Sequence, residues 1–167
     1  RSGIGFDIYA QRLNGSGVPQ WTANGVAICT YSWDQSAPQL TSDGASGAII
    51  TWVDTRNSGY QDIYAQRINS SGAVQWAADG TAVCTALWNQ ADPQITSDGS
   101  GGAIMAWSDY RSSTDNDIYA QRVSGGGIIQ WTADGVNLCT AAGNQTGARL
   151  ASDDSGGAIA VWVEDTF

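Results

Sequence analysis

The sequence predicts an all-β protein built from a repeated unit, and three observations support this prediction. The six residues Asp-Ile-Tyr-Ala-Gln-Arg at 62–67 also stand at 7–12 and 117–122, a constant spacing of 55 residues. Short apolar or alternating segments, typical of strands, are separated by turns rich in Gly and Asp. No segment shows a convincing helical period. A fixed period of this size is the mark of a repeat architecture.

Composition excludes several classes of function. The chain has 16 acidic residues against 7 basic ones, all of them Arg, and a net charge of −9. Nucleic acids and anionic membrane surfaces require a basic patch, which the sequence lacks. No run of about 18 apolar residues occurs, so we expect no membrane-spanning helix. The acidic side chains are spread along the chain, which favours a solubilising surface.

The repeats divide a single domain of residues 1–167 into three units. Repeat one covers 7–61, repeat two 62–116 and repeat three 117–167, which stops short of the full period. Residues 1–6 are interpreted as the end of a preceding unit, because Arg1 precedes Arg56 and Arg111 at the same spacing. The chain begins with Arg1 rather than Met, so we expect a processed product or a fragment.

Strand signals are clearest in repeat two. Asp62–Ile68 places Ile63 and Ala65 on one face and Tyr64 on the other, the period of two that a strand imposes. The apolar run Ala103–Trp107 is typical of a strand buried on both faces. The remaining predicted strands of this repeat are Ala73–Trp76, Thr81–Thr85 and Pro93–Thr96.

Four or five short strands with recurring aromatic residues are typical of one blade of a β-propeller. We therefore predict a propeller-type repeat with three 55-residue blade units of about four antiparallel strands. Trp recurs at two positions of the repeat, where large aromatic side chains are expected to pack between blades. These residues are Trp21, Trp76 and Trp131 at one position, and Trp52, Trp107 and Trp162 at the other.

The three cysteines, Cys29, Cys84 and Cys139, also recur once per repeat. Equivalent positions in successive units lie too far apart for a disulfide, which needs Cα atoms within about 7 Å. We expect three free thiols that serve as small buried hydrophobic residues.

Three blades are too few to close a ring, since propellers close with about four to eight. An open end would expose apolar faces and unpaired strand edges, which favour association. Residues 1–6 could pair with repeat three of another copy, so that two copies share a six-bladed ring. A contact that does not close would give a filament instead. The remaining alternative is that missing sequence completes the ring.

The order of short motifs along each repeat resembles that of secreted bacterial β-propeller repeat proteins. The motifs are Asp-Ile-Tyr-Ala-Gln-Arg, Gln-Trp with a following Gly, Cys-Thr, Pro-Gln-Leu/Ile, Ser-Asp-Gly with a trailing Gly-Ala-Ile, and Trp-x-Asp-x-Arg. The resemblance covers essentially the whole chain and implies an extracellular or cell-surface location, but propellers host many unrelated functions. Repeat three departs from the pattern at Glu164, Thr166 and Ala148-Arg149, as a terminal or interface repeat would.

Two tryptophans, Trp33 and Trp88, lie in loops where repeat three has Gly143. A Trp ring can stack on the face of a pyranose while neighbouring polar groups bind its hydroxyls. The candidate ligand-binding residues are therefore Trp33, Asp34, Gln35, Trp88, Asn89 and Gln90. The competing interpretation is that both tryptophans cover a blade end or lie in a contact between chains, because Trp is enriched in interfaces.

The arginines allow two interpretations. Arg1, Arg56 and Arg111 would suit a carboxylate ligand if they converged on one face. Asp54 and Asp109, each two residues before an arginine, favour an ion pair within each blade instead. The strand arginines Arg12, Arg67 and Arg122 are expected to have acidic or carbonyl neighbours.

The sequence offers little for catalysis or metal binding. Without His or Lys and with a single Glu, acid–base chemistry would depend on Asp and Glu164. The irregular acids Asp154, Glu164 and Asp165 lie in the divergent repeat, and no pair suggests a glycosidase. Asp115-Asn116-Asp117 supplies too few oxygen ligands for calcium, and the turns at Asp43, Asp98 and Asp153 are typical of hairpins.

The sequence thus predicts a protein that is not an enzyme and has no cofactor or metal. Its predicted function is that of an extracellular structural or adhesive module acting through self-association. The alternative is a carbohydrate-binding propeller.

Overall fold

The computed structural model describes residues 5–57 and 59–165, and all regular structure in these ranges is β, as predicted. The strands are β1 (Ile8–Ala10), β2 (Val26–Cys29), β3 (Gln35–Ser42), β4 (Ala48–Asp54), β5 (Asp62–Ile68), β6 (Thr81–Cys84), β7 (Gln90–Ser97), β8 (Ala103–Asp109), β9 (Asp117–Val123), β10 (Val136–Cys139), β11 (Gln145–Ser152) and β12 (Ala158–Glu164).

The strands form four antiparallel sheets, none of them closed. Sheet I consists of β1 and β2, sheet II of β3–β6, sheet III of β7–β10, and sheet IV of β11 and β12. Strands that follow one another in sequence are neighbours in each sheet. The part of the chain that the structure describes contains no helix long and apolar enough to cross a membrane.

The sheets are offset from the sequence repeats. Each four-stranded sheet takes the last two strands of one repeat and the first two of the next, because β4 pairs with β5 and β8 pairs with β9 along seven residues. The expectation that each repeat forms a unit of its own therefore needs correction. Each repeat has four strands, but they are divided between two sheets.

Most strands predicted for repeat two are present. Asp62–Ile68 is β5, and its side chains alternate between two core clusters. Every residue of β8, which includes the predicted run Ala103–Trp107, is buried. Residues 73–76 are not a strand and make only a bridge from Val74 to Ile68. Beyond this bridge the ladder does not continue, because the Trp76 N–H donates to the Gln66 Oε1 rather than to a strand carbonyl.

Each sheet packs face to face on the next one. Ile8 and Ile28 of sheet I contact Trp52 of sheet II, and the opposite face of sheet II packs against Met105 and Trp107 of sheet III. Sheet III in turn contacts Ala148 and Trp162 of sheet IV. The first strands of the three later sheets, β3, β7 and β11, lie side by side. Trp52 and Trp107 are fully buried between sheets, as predicted.

A glycine allows this burial of tryptophan. Gly80 has a φ of 93°, and a Cβ at this position would lie 2.5 Å from the Trp52 ring. Gly135 has the same relation to Trp107, at 2.7 Å. Only glycine combines a left-handed backbone with so close an approach.

Candidate functional site

The arginines that follow β4 and β8 are engaged in ion pairs within the fold. Arg56 binds Asp54 through both its Nε and its Nη2, at 2.9 and 2.6 Å, and the Trp52 indole donates to the same carboxylate at 2.9 Å. Trp107, Asp109 and Arg111 repeat this arrangement. The predicted ion pairs are confirmed, while Arg1 lies outside the described residues. These two guanidinium groups are therefore satisfied internally rather than arranged for a ligand.

The thiols are free, and they lie beside these arginines. The Arg56 Nη2 donates to the Cys29 Sγ at 3.2 Å, and the Arg111 Nη2 donates to the Cys84 Sγ at 3.3 Å. Burial raises the pKa of Cys29 to about 11 and that of Cys84 to about 12. Both remain protonated near neutrality and are poor nucleophiles. Cys139 is only partly buried, contrary to expectation, and no arginine of a following sheet covers it among the described residues.

The terminal sheets I and IV are complementary halves of the four-stranded pattern. By position in the repeat, β11 and β12 correspond to the first two strands of sheets II and III, and β1 and β2 correspond to the last two. Among the described residues, β12 pairs only with β11 and β1 pairs only with β2. Their counterparts β4 and β5 pair with each other. Within the described residues, β12 and β1 are thus edge strands of their sheets, whereas their counterparts in sheets II and III lie in the interior of a sheet.

The outer face of sheet IV is apolar and exposed. Val161 is 60% exposed, whereas its counterparts Thr51 and Ala106 are completely buried. Ile159 and Val163 on the same face are also exposed. The corresponding faces of sheets II and III are covered by the next sheet in the chain. The outer face of sheet IV has no such cover among the described residues.

A matching gap lies beside sheet I. A cavity of about 280 Å³ opens between β1 and the first strands of sheet II, and its lining includes Ile8, Ala10, Leu40 and Ile50. Leu40 is 67% exposed, although its counterpart Ile95 packs against the core between sheets II and III. The gap is thus lined mainly by apolar side chains, and it lies beside β1, which pairs only with β2 among the described residues.

Among the described residues, Arg12 beside sheet I and Asp153 in sheet IV lack the ion pair that their counterparts form in sheets II and III. Within sheets II and III, the strand arginines pair with turn carboxylates, Arg67 with Asp43 at 2.9 Å and Arg122 with Asp98 at 2.8 Å. The expectation of acidic or carbonyl neighbours for these arginines is confirmed. Arg12, the counterpart in sheet I, donates to the Ser70 carbonyl but has no acidic partner within the described ranges. The Asp153 carboxylate in sheet IV accepts only backbone N–H groups there.

Trp33 and Trp88 occupy equivalent exposed loops. Trp33 is 66% exposed, and Trp88 is 42% exposed with its ring edge-on to Tyr60, at 5.3 Å between ring centroids. Both have a left-handed backbone, with φ of 79° and 66°. Gly143, their counterpart in repeat three, has a φ of 96°. A bulky residue in this region is strained, so two repeats keep tryptophan where glycine is favoured.

The polar residues next to these tryptophans bond to the loops themselves. Gln35 and Gln90 are buried, and their Nε2 atoms donate to the Trp33 and Trp88 carbonyls. The Asp34 Oδ1 accepts from the Phe6 N–H, and the Asn89 Oδ1 accepts from the Gln61 N–H. In repeat three, Gln145 and Asn144 form the same bonds around Gly143. These bonds therefore do not depend on the tryptophan, and the Trp rings are what distinguish repeats one and two.

Sequence reasoning missed a small cavity beside Tyr60 that contains several polar groups. It measures about 220 Å³, and Asn57, Tyr60, Asp62 and Thr85 contribute to its lining. The Asn57 Nδ2 donates to the Asp62 Oδ2 at 2.7 Å, and burial raises the pKa of Asp62 to about 6. The available signal was the departure of Tyr60 from the repeat, whose counterparts are Gly5 and Asp115.

The irregular acids form no cluster. Asp154 and Glu164 are exposed. Asp115 accepts hydrogen bonds from Ser112 and Thr114 of its own loop and from the Gly143 N–H of the loop before β11. In the described part of the chain, no three His, Cys, Asp or Glu side chains are grouped so that they could hold a metal ion.

Comparison with known proteins gives no relative: no family model, no curated protein and no solved structure matches the chain. The resemblance to secreted bacterial propeller repeats therefore stays a prediction.

Proposed function

We propose that this protein is a structural or adhesive module that acts through self-association, and that its sheets are blades of a β-propeller completed between copies. Sheet IV of one copy and sheet I of another would together form one four-stranded blade. The observation that carries the proposal is that the two terminal sheets are complementary halves of the unit that sheets II and III form in full.

Burial of apolar surface supports this proposal. Burying an exposed Val or Ile side chain contributes about 1.5–3 kcal/mol, and sheet IV exposes Ile159, Val161 and Val163 together. New backbone hydrogen bonds between β12 and β1 would add to this at each junction. Association costs about 4–15 kcal/mol in lost translational and rotational freedom. A ring of two copies forms two junctions for one such cost, which favours closure.

The number of blades favours two copies. Each copy supplies sheets II and III and two halves, which together make three blades. Two copies give six, within the range of about four to eight blades at which propellers close. A head-to-tail contact of the same type that did not close would give a filament. We place the assembly outside the cell or at its surface, the location that the sequence resemblance implies.

Absolute mass in solution tests the proposal. Light scattering over a range of concentrations should give twice the 17.5 kDa of one chain, or larger species of distributed length for a filament. A stable monomer at all concentrations would overturn the proposal. A monomer would point instead to a fragment of a longer chain or to an architecture other than a propeller.

A second candidate function, binding of a neutral sugar, is favoured by the strained and exposed tryptophans. Holding a bulky side chain in the left-handed region costs about 1–3 kcal/mol, and Gly143 shows that the loop forms without one. Beside Trp88, the Tyr60 ring borders a cavity with an amide, a hydroxyl and a carboxylate, and none of its lining residues is basic. Such a site would disfavour anionic ligands and would suit the hydroxyls of an uncharged pyranoside.

The double variant Trp33→Gly/Trp88→Gly separates the two functions, because it copies what repeat three already carries. For a sugar site, we expect unchanged mass and folding but loss of binding on a glycan array. A variant that no longer assembles would place both rings in the contact between copies. Absence of glycan binding by the wild-type protein would rule out the second function.

A further inference from the structure

We propose the register of the junction between copies: β12 of one copy pairs with β1 of a second copy so that Val161 lies opposite Ala10. This inference rests on the proposed self-association and assigns the residues that recognise the partner, a second copy of this chain.

The complete sheets set this register. Thr51 lies opposite Ala65 in sheet II, and Ala106 lies opposite Ala120 in sheet III. Both sheets keep this register over seven residues, without a bulge. The segment containing β1 carries the same six residues as β5 and β9, so the same pairing is available to β12. It places Trp162 opposite Tyr9 of the second copy, as Trp52 lies opposite Tyr64.

Registers of β12 and β1 that are shifted by one residue are unfavourable. Successive side chains of a strand point to opposite faces, so a slip by one residue would exchange the two faces of β12. Val161 and Ile159 would then turn away from the apolar gap beside sheet I. In the proposed register they enter that gap and meet Leu40 and Ile50 of the second copy.

An ion pair is completed by the same pairing. Asp153 of one copy takes the position that Asp43 and Asp98 hold in their sheets, and Arg12 of the second copy takes that of Arg67 and Arg122. Asp153 already has the required turn, in which its Oδ1 accepts from the Ser155 and Gly157 N–H groups. In the equivalent turn of sheet II, the Asp43 Oδ1 accepts from the Gly47 N–H, and the Asp43 Oδ2 accepts from the Arg67 Nε.

An indole contact between neighbouring sheets is completed as well. The Trp76 Nε1 donates to the Gly125 carbonyl at 3.0 Å, and its ring packs over Gly127. The counterparts of these glycines in sheet I are Gly15 and Gly17, and a Cβ at either would meet no atom within 4 Å. Trp131, which is 36% exposed, would fill this space on the second copy and donate to the Gly15 carbonyl.

Disulfide trapping tests the register directly. One chain carries Ala10→Cys and the other Val161→Cys, and the two are mixed and oxidised at a concentration at which the wild-type chain is associated. Residues directly opposite in an antiparallel pair have Cα atoms about 4.5–5.5 Å apart, which a disulfide can span. We expect a covalent pair of chains in the mixture and in neither chain alone. The matched control is Val163→Cys mixed with Ala10→Cys, two residues out of register, which should cross-link at least tenfold more slowly.

The outcomes separate the register from the proposed function. If the Ala10→Cys and Val161→Cys chains associate but do not cross-link, or cross-link no faster than Ala10→Cys with Val163→Cys, the register alone is overturned. A monomeric wild type would overturn both.

Reciprocal charge changes provide an independent readout if a cysteine variant no longer associates. Asp153→Lys and Arg12→Glu should each weaken self-association at least tenfold, because like charges would meet at every junction. Mixing the two variants restores opposite charges at both kinds of junction, so it should recover assembly. Failure of the mixture to assemble, with both chains folded, would contradict the ion pair and with it the register.

Discussion

Strands β8 and β12 hold the same position in successive repeats and have similar sequences, yet their surroundings differ completely. Every residue of β8 is buried, whereas Val161 and Val163 in β12 are at least 60% exposed. The outward face of β12 is the more apolar of the two, because Val161 and Val163 stand where β8 has Ala106 and Ser108. The two strands thus differ in their neighbours rather than in their apolar character: β8 lies between β7 and β9, whereas β12 pairs only with β11 among the described residues.

The hydrogen-bonded network of tryptophan, carboxylate and arginine in sheet III has no equivalent among the described residues of repeat three. In sheet III, Asp109 is fully buried and joins Trp107 to Arg111. Its counterpart Glu164 is exposed, and residue 166, where an arginine would complete the network, is Thr and lies outside the described residues. The terminal sheet therefore keeps the apolar side chains of the pattern but not its internal ion pair.

The largest contrast is expected from placing a charge on each strand. Ala106→Asp puts an unpaired carboxylate into the core between sheets III and IV and should destabilise the fold by more than about 4 kcal/mol. Val161→Asp, at the matched position of β12, should leave the fold of the isolated chain nearly unchanged but abolish self-association. Urea unfolding and light scattering of both variants check this. An unfolded Val161→Asp chain would contradict the comparison.

Removing the network carboxylate should give the next largest effect. Asp109→Ala leaves the buried Trp107 indole and the Arg111 guanidinium without their partner, which should cost about 3–5 kcal/mol. The matched control Glu164→Ala should change the free energy of unfolding of the dissociated chain by less than about 0.5 kcal/mol, as is usual for exposed positions. Equal effects at the two positions would show that Glu164 has a partner in the folded chain.

Substitutions at two glycines test how much of the stability depends on the close approach of Gly80 to Trp52. Gly80 has a left-handed backbone, and the Gly80→Ala variant would place a Cβ 2.5 Å from the Trp52 ring. Overpacking of this kind destabilises the fold by about 1–3 kcal/mol in addition to the backbone strain. The matched control is Gly44→Ala. Gly44 also has a left-handed backbone, with a φ of 72°, but a Cβ at this position would have no atom within 4 Å. The control substitution should cost only about 1 kcal/mol, from the backbone alone. Thermal unfolding of the two variants separates packing from strain.

The smallest effect concerns the buried Asp62. Burial raises its pKa in the folded state to about 6, from an ordinary value of 3.8. As the pH rises from 4 to 6, the carboxyl therefore ionises more readily in the unfolded chain, and the free energy of unfolding decreases. Asp62→Asn should therefore raise the melting temperature at pH 7 by about 2–4 °C, the shift that about 1 kcal/mol gives in a domain of this size. The gain should disappear below pH 4, and a gain that does not depend on pH would contradict the assignment.

The sequence was sufficient for most of the strands, although not for 73–76, and for most of the local chemistry. The 55-residue period, the buried run at Ala103–Trp107 and the ion pairs of Asp54 and Asp109 could all be read from residue spacing. The division into sheets could not, because a tandem repeat has a period but no preferred starting point. The repeat is equally compatible with a unit that ends after β4 and with a unit in which β4 pairs with β5. The cavity beside Tyr60 was missed because Tyr60 occurs in a single repeat and leaves no periodic signal.

Amide hydrogen exchange across β8 and β12 tests the central claim most directly. In a strand of an antiparallel sheet, successive amides point toward alternate neighbours, so half of the β12 amides lie toward its free edge. At concentrations where the chain is associated, we expect these amides to be protected as strongly as those of β8. On dilution they should lose protection while β8 keeps it. Rapid exchange at the free edge of β12 in a sample that light scattering shows to be associated would contradict completion of this sheet by a second copy.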